Sequence, residues 1–421
     1  MSDIDGDADV QAARIVEHDI ATGAWRLVSD PASAARTVVL LRHDGRTVGI
    51  ESFDRALSSA DEIANELMPA TTPARRWGEP STQPSATVVV CTLGSNPILR
   101  QTVEALLEQD AGARGAIDYD LVVVDNAPAS GGTRRMLDGL SDPRLRIVDE
   151  PRRGLSWARN SGVLAATGEI VAFTDDDAVP DSAWLRSLVE IFSIDPVGAI
   201  GGVTGLVAPA ELAYPAQRWF EEYGGFSKGS EVVVWSLRPV DEIAVLGRPG
   251  EGGPLFPITT ARVGAGASMA FRGHVLDEIG PFDCALGAGT ASEGGEDLDA
   301  FSRVLYAGYS IVYTPDAVVW HTHRRTRREL ERQLHGNGAG MAALLTKSVL
   351  TRPGAMLRLA GRSWAILRRV SPGSERNSSR SADFPKSLSK AEFRGFLRGP
   401  AGLVRARWTA RRTAAASRNA S

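Results

Sequence analysis

Only two cysteines, Cys91 and Cys284, occur among the 421 residues. No disulfide framework can hold such a chain, and a reducing, cytosolic compartment is the expectation. No apolar run approaches the roughly 18 residues needed to span a bilayer. Residues 1–9 are acidic and lack an apolar centre, which argues against a secretory signal. Internal repeats are missing, and so is any G-x-G-x-x-G dinucleotide fingerprint. With 43% hydrophobic and 23% charged residues, the composition is globular and excludes wholesale disorder and collagen-like repeats.

What is present is unevenly distributed. The net charge of -4 divides into 22 basic against 5 acidic residues from Arg324 onward, and 25 against 46 before it. A tail of +17 on a body of -21 suggests an anionic partner. The tail reads as a solvated face, an anchor to an anionic membrane or a nucleic-acid contact. Arginines interleaved with Trp364, Phe393, Phe396 and Trp408 favour the membrane over nucleic acid.

Three zones follow. Residues 1–80 form a small module in which residues 37–41 and 47–50 flank a His43-Asp44-Gly45 turn, the pattern of a hairpin. A polar linker, 80–85, leads to residues 86–345. There, β-branched runs at 87–91, 121–124, 145–148 and 169–174 alternate with helical spacing at Leu99, Val103, Leu106 and Leu107 and again at 155–166. This predicts an α/β fold with a mostly parallel sheet flanked by helices. Ligands then bind beyond the carboxyl ends of the strands, where Asp125 and Asp175 both sit. Residues 346–421 read as a basic tail, partly helical or disordered, with a Ser-rich stretch at 371–389. Helical character over 329–350 is weakened by Gly336, Gly338 and Gly340.

The chemistry concentrates in acids. Asp175-Asp176-Asp177 closes an apolar strand. Residues i and i+2 of an extended chain share a face, so Asp175 and Asp177 point together. Carboxylates this close repel unless well solvated or bridged by a cation, and hard oxygen donors suit Mg²⁺ or Mn²⁺. A bare acidic triplet reads as readily as a solvated turn. A second acidic group, Glu296 and Asp297 after Gly294-Gly295, opens a helix. That is ordinary capping chemistry, and also good placement for a general base. His321 and His323 follow the strand 313–320, and His321 is a candidate metal ligand.

These segments resemble a family. Residues 88–92 (VVVCT), 122–126 (VVVDN), 154–162 (GLSWARNSG), 173–177 (FTDDD), 266–272 (GASMAFR), 295–297 (GED) and Trp320-His321 occur in the order and spacing of family-2 glycosyltransferases. The resemblance implies a GT-A (Rossmann-like) fold and transfer of a sugar from a nucleotide donor with inversion. It implies that Thr92 and Asp125 hold the nucleobase and that Arg159 and Asn160 lie near the nucleotide. Asp175, with Asp176 beside it, approaches the ribose. Asp177 binds the divalent metal (Mn²⁺ or Mg²⁺) with His321. Asp297 is the catalytic base, Glu296 its neighbour. Gly266, Ala267 and Ser268 line the sugar and acceptor side. The expected partners are a nucleotide sugar, with UDP favoured, and a hydroxyl acceptor on a glycan, lipid-linked or small molecule. The expected location is cytoplasmic, with peripheral attachment at the inner face of the plasma membrane.

Departures limit the resemblance. Leu93-Gly94 replaces the pair that often follows the threonine, and the Gln-x-x-Arg-Trp motif of processive synthases is missing. The first bears on recognition of the base; the second, together with the lack of a membrane-spanning run, points to transfer of one or a few sugars. Two competitors stand beside it. A nucleotidyltransferase on a similar sheet would show a Gly-rich basic loop where residues 92–97 (TLGSNP) have one glycine and no basic residue. A non-catalytic nucleotide-sugar or membrane-binding protein is separable by a donor-hydrolysis assay.

Overall fold

The computed structural model describes residues 12–66, 83–109, 117–238, 240–253, 255–352, 354, 361 and 384–420. The acidic N-terminus, half of the 80–85 linker, most of the Ser-rich stretch and Trp364 lie outside them.

The expected hairpin is there, within a four-stranded sheet of order β2-β1-β3-β4: β1 (Ala12–Asp19), β2 (Trp25–Ser29), β3 (Ala34–His43) and β4 (Arg46–Phe53). Asp44 and Gly45 both take positive φ, 51° and 76°, as a two-residue type I′ turn requires. β1 and β2 were not anticipated, because their alternation is broken by charge. The sheet and the helix after it, α1 (Ala60–Glu66), do not form a free-standing module. Ala13, Ile15 and Leu40 share a core with Leu206 and Trp320 of the main domain. Arg46 reaches Glu190 at 2.7 Å and Asp316 at 3.1 Å, and Arg42 reaches Asp181 at 3.1 Å.

The main sheet comprises β5 (Ala86–Thr92), β6 (Tyr119–Asp125), β7 (Leu145–Asp149), β8 (Ile170–Asp175), β9 (Ala178–Pro180), β10 (Ile200–Pro209), β11 (Val233–Trp235), β12 (Arg248–Pro249), β13 (Ser268–Arg272) and β14 (Ser310–His321). Its order is β12-β11-β14-β10-β13-β8-β5-β6-β7, with β9 on β14. Helices α2 (Leu99–Leu107), α3 (Gly132–Met136), α4 (Leu155–Ala165), α5 (Trp184–Ser193), α6 (Pro215–Tyr223), α7 (Asp241–Ala244), α8 (Gly273–Ile279) and α9 (Glu296–Tyr306) connect the strands. β-Branched residues make β5 a central strand with two buried faces. Val88 and Val90 pack with Leu99, Val103 and Trp184 on one side, while Val89 packs with Ala158 on the other. Each such fully buried side chain contributes about 1.5–3 kcal/mol.

Among the described residues, five of the nine strand pairings of this sheet are parallel, in line with the expected mostly parallel sheet, and four are antiparallel. β5, β6, β7 and β8 are parallel, as are β10 and β14, but β13 runs antiparallel between β8 and β10.

The C-terminal zone is helical, as expected of at least part of the basic tail. α10 (Arg327–Thr351) runs unbroken through its glycines, and α11 (Lys386–Ala420) packs along it in the same direction. The glycines allow the approach: a Cβ on Gly338 would lie 2.1 Å from Glu392 O, and one on Gly395 would lie 1.9 Å from His335 O. Residues 386–420 are therefore a packed wall of the molecule and not a loose tail.

Candidate active site

Strand ends bring the acids together. β8 stops at Asp175, and after Asp177 the chain enters β9, where Ala178 pairs with His321 of β14. That register sets Asp177 Oδ1 3.1 Å from His321 Nε2. One oxygen from each of Asp175 and Asp177 and a ring nitrogen of His321 lie within 4.8 Å of one another. Burial pushes the Asp175 carboxyl up, against the pull of Arg159. Burial would raise Asp177 as well, but the imidazole of His321 and the guanidinium of Arg324 hold it below the usual range. The same pairing raises His321, against burial. Two hard oxygens and an imidazole nitrogen within reach of one ion fit Mn²⁺ or Mg²⁺.

Behind His321 lies a polar chain that no motif signalled. His321 Nδ1 is 3.3 Å from His323 Nδ1, and His323 Nε2 is 2.7 Å from Glu221 Oε1 at the C-terminal end of α6. Were an ion held at Nε2 of His321, its Nδ1–H would donate to His323, whose Nε2–H would donate to Glu221. Such outer partners fix the tautomer and orientation of a metal-binding histidine.

Arg159 is the electrostatic centre of the site. It projects from α4, is buried, and donates through Nη1 to Glu296 Oε1 at 2.7 Å and through Nη2 to Gly266 O at 3.3 Å. Its Nη2 also lies 3.5 Å from Asp175 Oδ1. Burial and the neighbouring Asp297 push Glu296 up to about 7, with Arg159 opposing. Asp297 is oriented by backbone: Gly266 N–H donates to Oδ2 at 2.9 Å, and Leu298 N–H to Oδ1 at 2.8 Å. Gly295 caps the start of α9 with a φ of 89°, a conformation that favours glycine.

Thr92 and Asp125 end the neighbouring strands β5 and β6 in register with one another. Thr92 donates to Asp176 Oδ2 at 2.5 Å, and burial raises Asp176 to about 6. Asp125 is fully buried, and its Oδ2 has no hydrogen-bond partner, with Arg134 3.6 Å away. An unmet acceptor there suits a donor from a bound nucleobase.

The structure does not bring every expected residue to this cluster. Both ends of the Asn160 amide bond the backbone of Phe282, so it clamps the loop before α9. Ser268 is fully buried and accepts from Trp184 Nε1 at 2.9 Å. Ala267 is buried in the core. Gly266 alone of these three meets the site, through its backbone.

Asp297 faces a chamber of about 510 Å³ with mostly apolar walls. The loop after α6 contributes Phe226 and Lys228, α10 contributes Met341, and α11 contributes Glu392 and Phe396. Burial lowers the Lys228 ammonium to about 8, against the pull of Glu221 and Asp297.

The chain is similar to known glycosyltransferases. Residues 87–238 match the family described as "Glycosyl transferase family 2". The chain is 26% identical over 269 residues to the pre-mycofactocin glycosyltransferase of Mycobacterium tuberculosis, covering 64% of this chain and 49% of that protein. It is 24% identical over 276 residues to glycosyltransferase AglE of Haloferax volcanii, covering 65% and 78%. Among solved structures, the mannosyltransferase PcManGT from Pyrobaculum calidifontis, in complex with GDP-Man and Mn²⁺, aligns at a TM-score of 0.44 and 20% identity, covering 79% of this chain and 89% of that one. The chain spans about half the length of the first of these curated relatives. The match to that family covers residues 87–238, the segment that holds Thr92, Asp125, Arg159, Asp175 and Asp177.

Proposed function

We propose that the chain is an inverting, divalent-metal-dependent glycosyltransferase that moves a sugar from a nucleotide-sugar donor to a hydroxyl acceptor. The observation that carries this reading is the placement of Asp297. It faces the chamber, while Arg159 joins its neighbour Glu296 to the Asp175–Asp177–His321 cluster. Asp175, Asp177 and His321 would hold the ion, and a bound Mn²⁺ or Mg²⁺ neutralises charge developing on a diphosphate leaving group. Thr92 and Asp125 would receive the nucleobase, and a UDP-sugar is the favoured donor.

Inversion needs one carboxylate to take the acceptor proton as the hydroxyl attacks. Glu296 is buried and committed to Arg159. Asp297 is the carboxylate of the pair that lines the chamber. Its two backbone amide bonds aim it without neutralising it.

We test this with a panel of nucleotide sugars, each with Mn²⁺ or Mg²⁺, scored by nucleotide release and by thermal shift. A true donor binds the native state and raises the apparent melting temperature. Asp297→Asn is expected to slow release about 10²- to 10⁴-fold. Equal release from the wild type and Asp297→Asn would remove Asp297 as the base.

Peripheral attachment to an anionic membrane is part of the same proposal. Phe393, Leu397, Val404 and Trp408 are 41–65% exposed and follow i, i+4, i+11, i+15 spacing, one face of α11. The helix carries nine basic residues and one acid, Glu392, which lines the chamber instead of the outer face. Apolar residues on one face with arginines around them suit the interfacial region of a bilayer. No helix among the described residues is long and apolar enough to cross a membrane.

A further inference from the structure

The chamber beside Asp297 carries information about the acceptor. Its volume of about 510 Å³ falls within the roughly 300–1,000 Å³ of small-molecule sites. Phe226, Leu255, Leu298, Met341, Leu345 and Phe396 contribute to its mostly apolar walls. Besides Asp297, polar side chains interrupt this surface at Tyr223, Lys228, Thr259, Arg262, Asn337 and Glu392. A carbohydrate presents hydroxyls on every side, and each one buried without a partner is costly. An apolar body leaves no such debt on these walls, and each buried CH₂ adds about 0.8 kcal/mol.

The wall is also built from outside the family domain. Residues 87–238 supply the donor-side acids and Arg159, whereas Met341 and Leu345 come from α10 and Glu392 and Phe396 from α11. The two helices pack closely through Gly338, Gly395 and Gly399, so α11 stands at the chamber as a fixed surface. Its chamber face, bearing Glu392 and Phe396, lies roughly a third of a turn from the exposed Phe393–Leu397 face of the same helix.

We infer that the acceptor is an alcohol with an apolar body, alkyl or aryl, seated between the loop after α6 and helices α10 and α11, with its hydroxyl toward Asp297. This inference rests on the glycosyltransferase reading above and deepens it. The new bond joins the acceptor oxygen to the anomeric carbon, the bond from that carbon to the diphosphate oxygen breaks, and the acceptor proton passes to Asp297.

The experiment uses the full chain, Mn²⁺ and the nucleotide sugar selected by the donor panel. n-Octyl glucoside and 4-nitrophenyl glucoside are compared, below the detergent's critical micelle concentration, with methyl glucoside and maltotriose. The octyl and nitrophenyl compounds are expected to stimulate nucleotide release at least tenfold over hydrolysis, and the two hydrophilic ones less than twofold. Phe396→Arg is expected to raise the KM for octyl glucoside at least tenfold. Equal stimulation by methyl glucoside or maltotriose overturns the inference while leaving the transferase reading intact. If no nucleotide sugar binds or turns over, the transferase reading fails and takes the inference with it. The wild-type comparison decides the matter even where Phe396→Arg does not fold.

Discussion

Arg159 decides how the charges at the site balance. One guanidinium serves Glu296, Asp175 and the Gly266 carbonyl, and burial without these partners would be prohibitive. The sequence marked Arg159 only through a motif, because nothing in its spacing tells that a helix residue turns inward beneath two strand ends. Asp175 and Asp177 were legible from the i, i+2 rule, and Asp297 from its helix start. Glu221 and His323 were not legible as partners, since 102 residues separate them. They yield a direct expectation. Glu221→Gln and His323→Ala should each weaken Mn²⁺ binding about 10- to 100-fold by calorimetry; unchanged affinity would remove the polar chain from any part in holding the ion. Glu392 yields another. Burial raises its folded pKa to about 7 from the ordinary 4.5. Its stabilising contribution is then present below about pH 4.5 and is lost as pH rises through 7. In metal-free protein, wild-type stability relative to Glu392→Gln should decline across that window by denaturant titration. A flat difference would show that Glu392 is solvated.

At the scale of elements, the strands were the easiest to read and the helix pair the hardest. Runs such as 87–91 and 121–124 are β-branched and short, so their assignment needed no tertiary information. The antiparallel entry of β13 is a matter of chain path, which local pattern does not encode. Gly336, Gly338 and Gly340 lowered the helical expectation for α10 because glycine costs about 1 kcal/mol in a helix interior. Tertiary packing overrides that cost, since the absent side chains are what let α11 approach. Gly395→Ala therefore places a methyl 1.9 Å from the His335 carbonyl, which is backbone and cannot rotate away. The helices must separate, and a loss of about 1–3 kcal/mol is expected in urea unfolding. An unchanged midpoint would mean that the pair is not closely packed in solution.

For the whole molecule, the opposition of charge between body and tail becomes spatial. The acids gather at the strand ends, while the arginines of α11 surround its outward apolar stripe, with Arg412 stacked 4.5 Å from the centre of the Trp408 ring. Binding to vesicles containing phosphatidylserine should follow, falling as salt rises. Leu397→Glu with Trp408→Glu should reduce co-sedimentation at least fivefold, whereas equal pelleting of this variant would sink the attachment. Composition showed the basic tail but not its partition into an inner face at the chamber and an outer face toward solvent. The parallel course of α10 and α11 has a last implication. On the proposed reading, recognition of the incoming alcohol would fall to a helix outside the nucleotide half. Exchanging or redesigning that helix would let the same phosphate chemistry be redirected to new alcohols without disturbing the sheet that performs it.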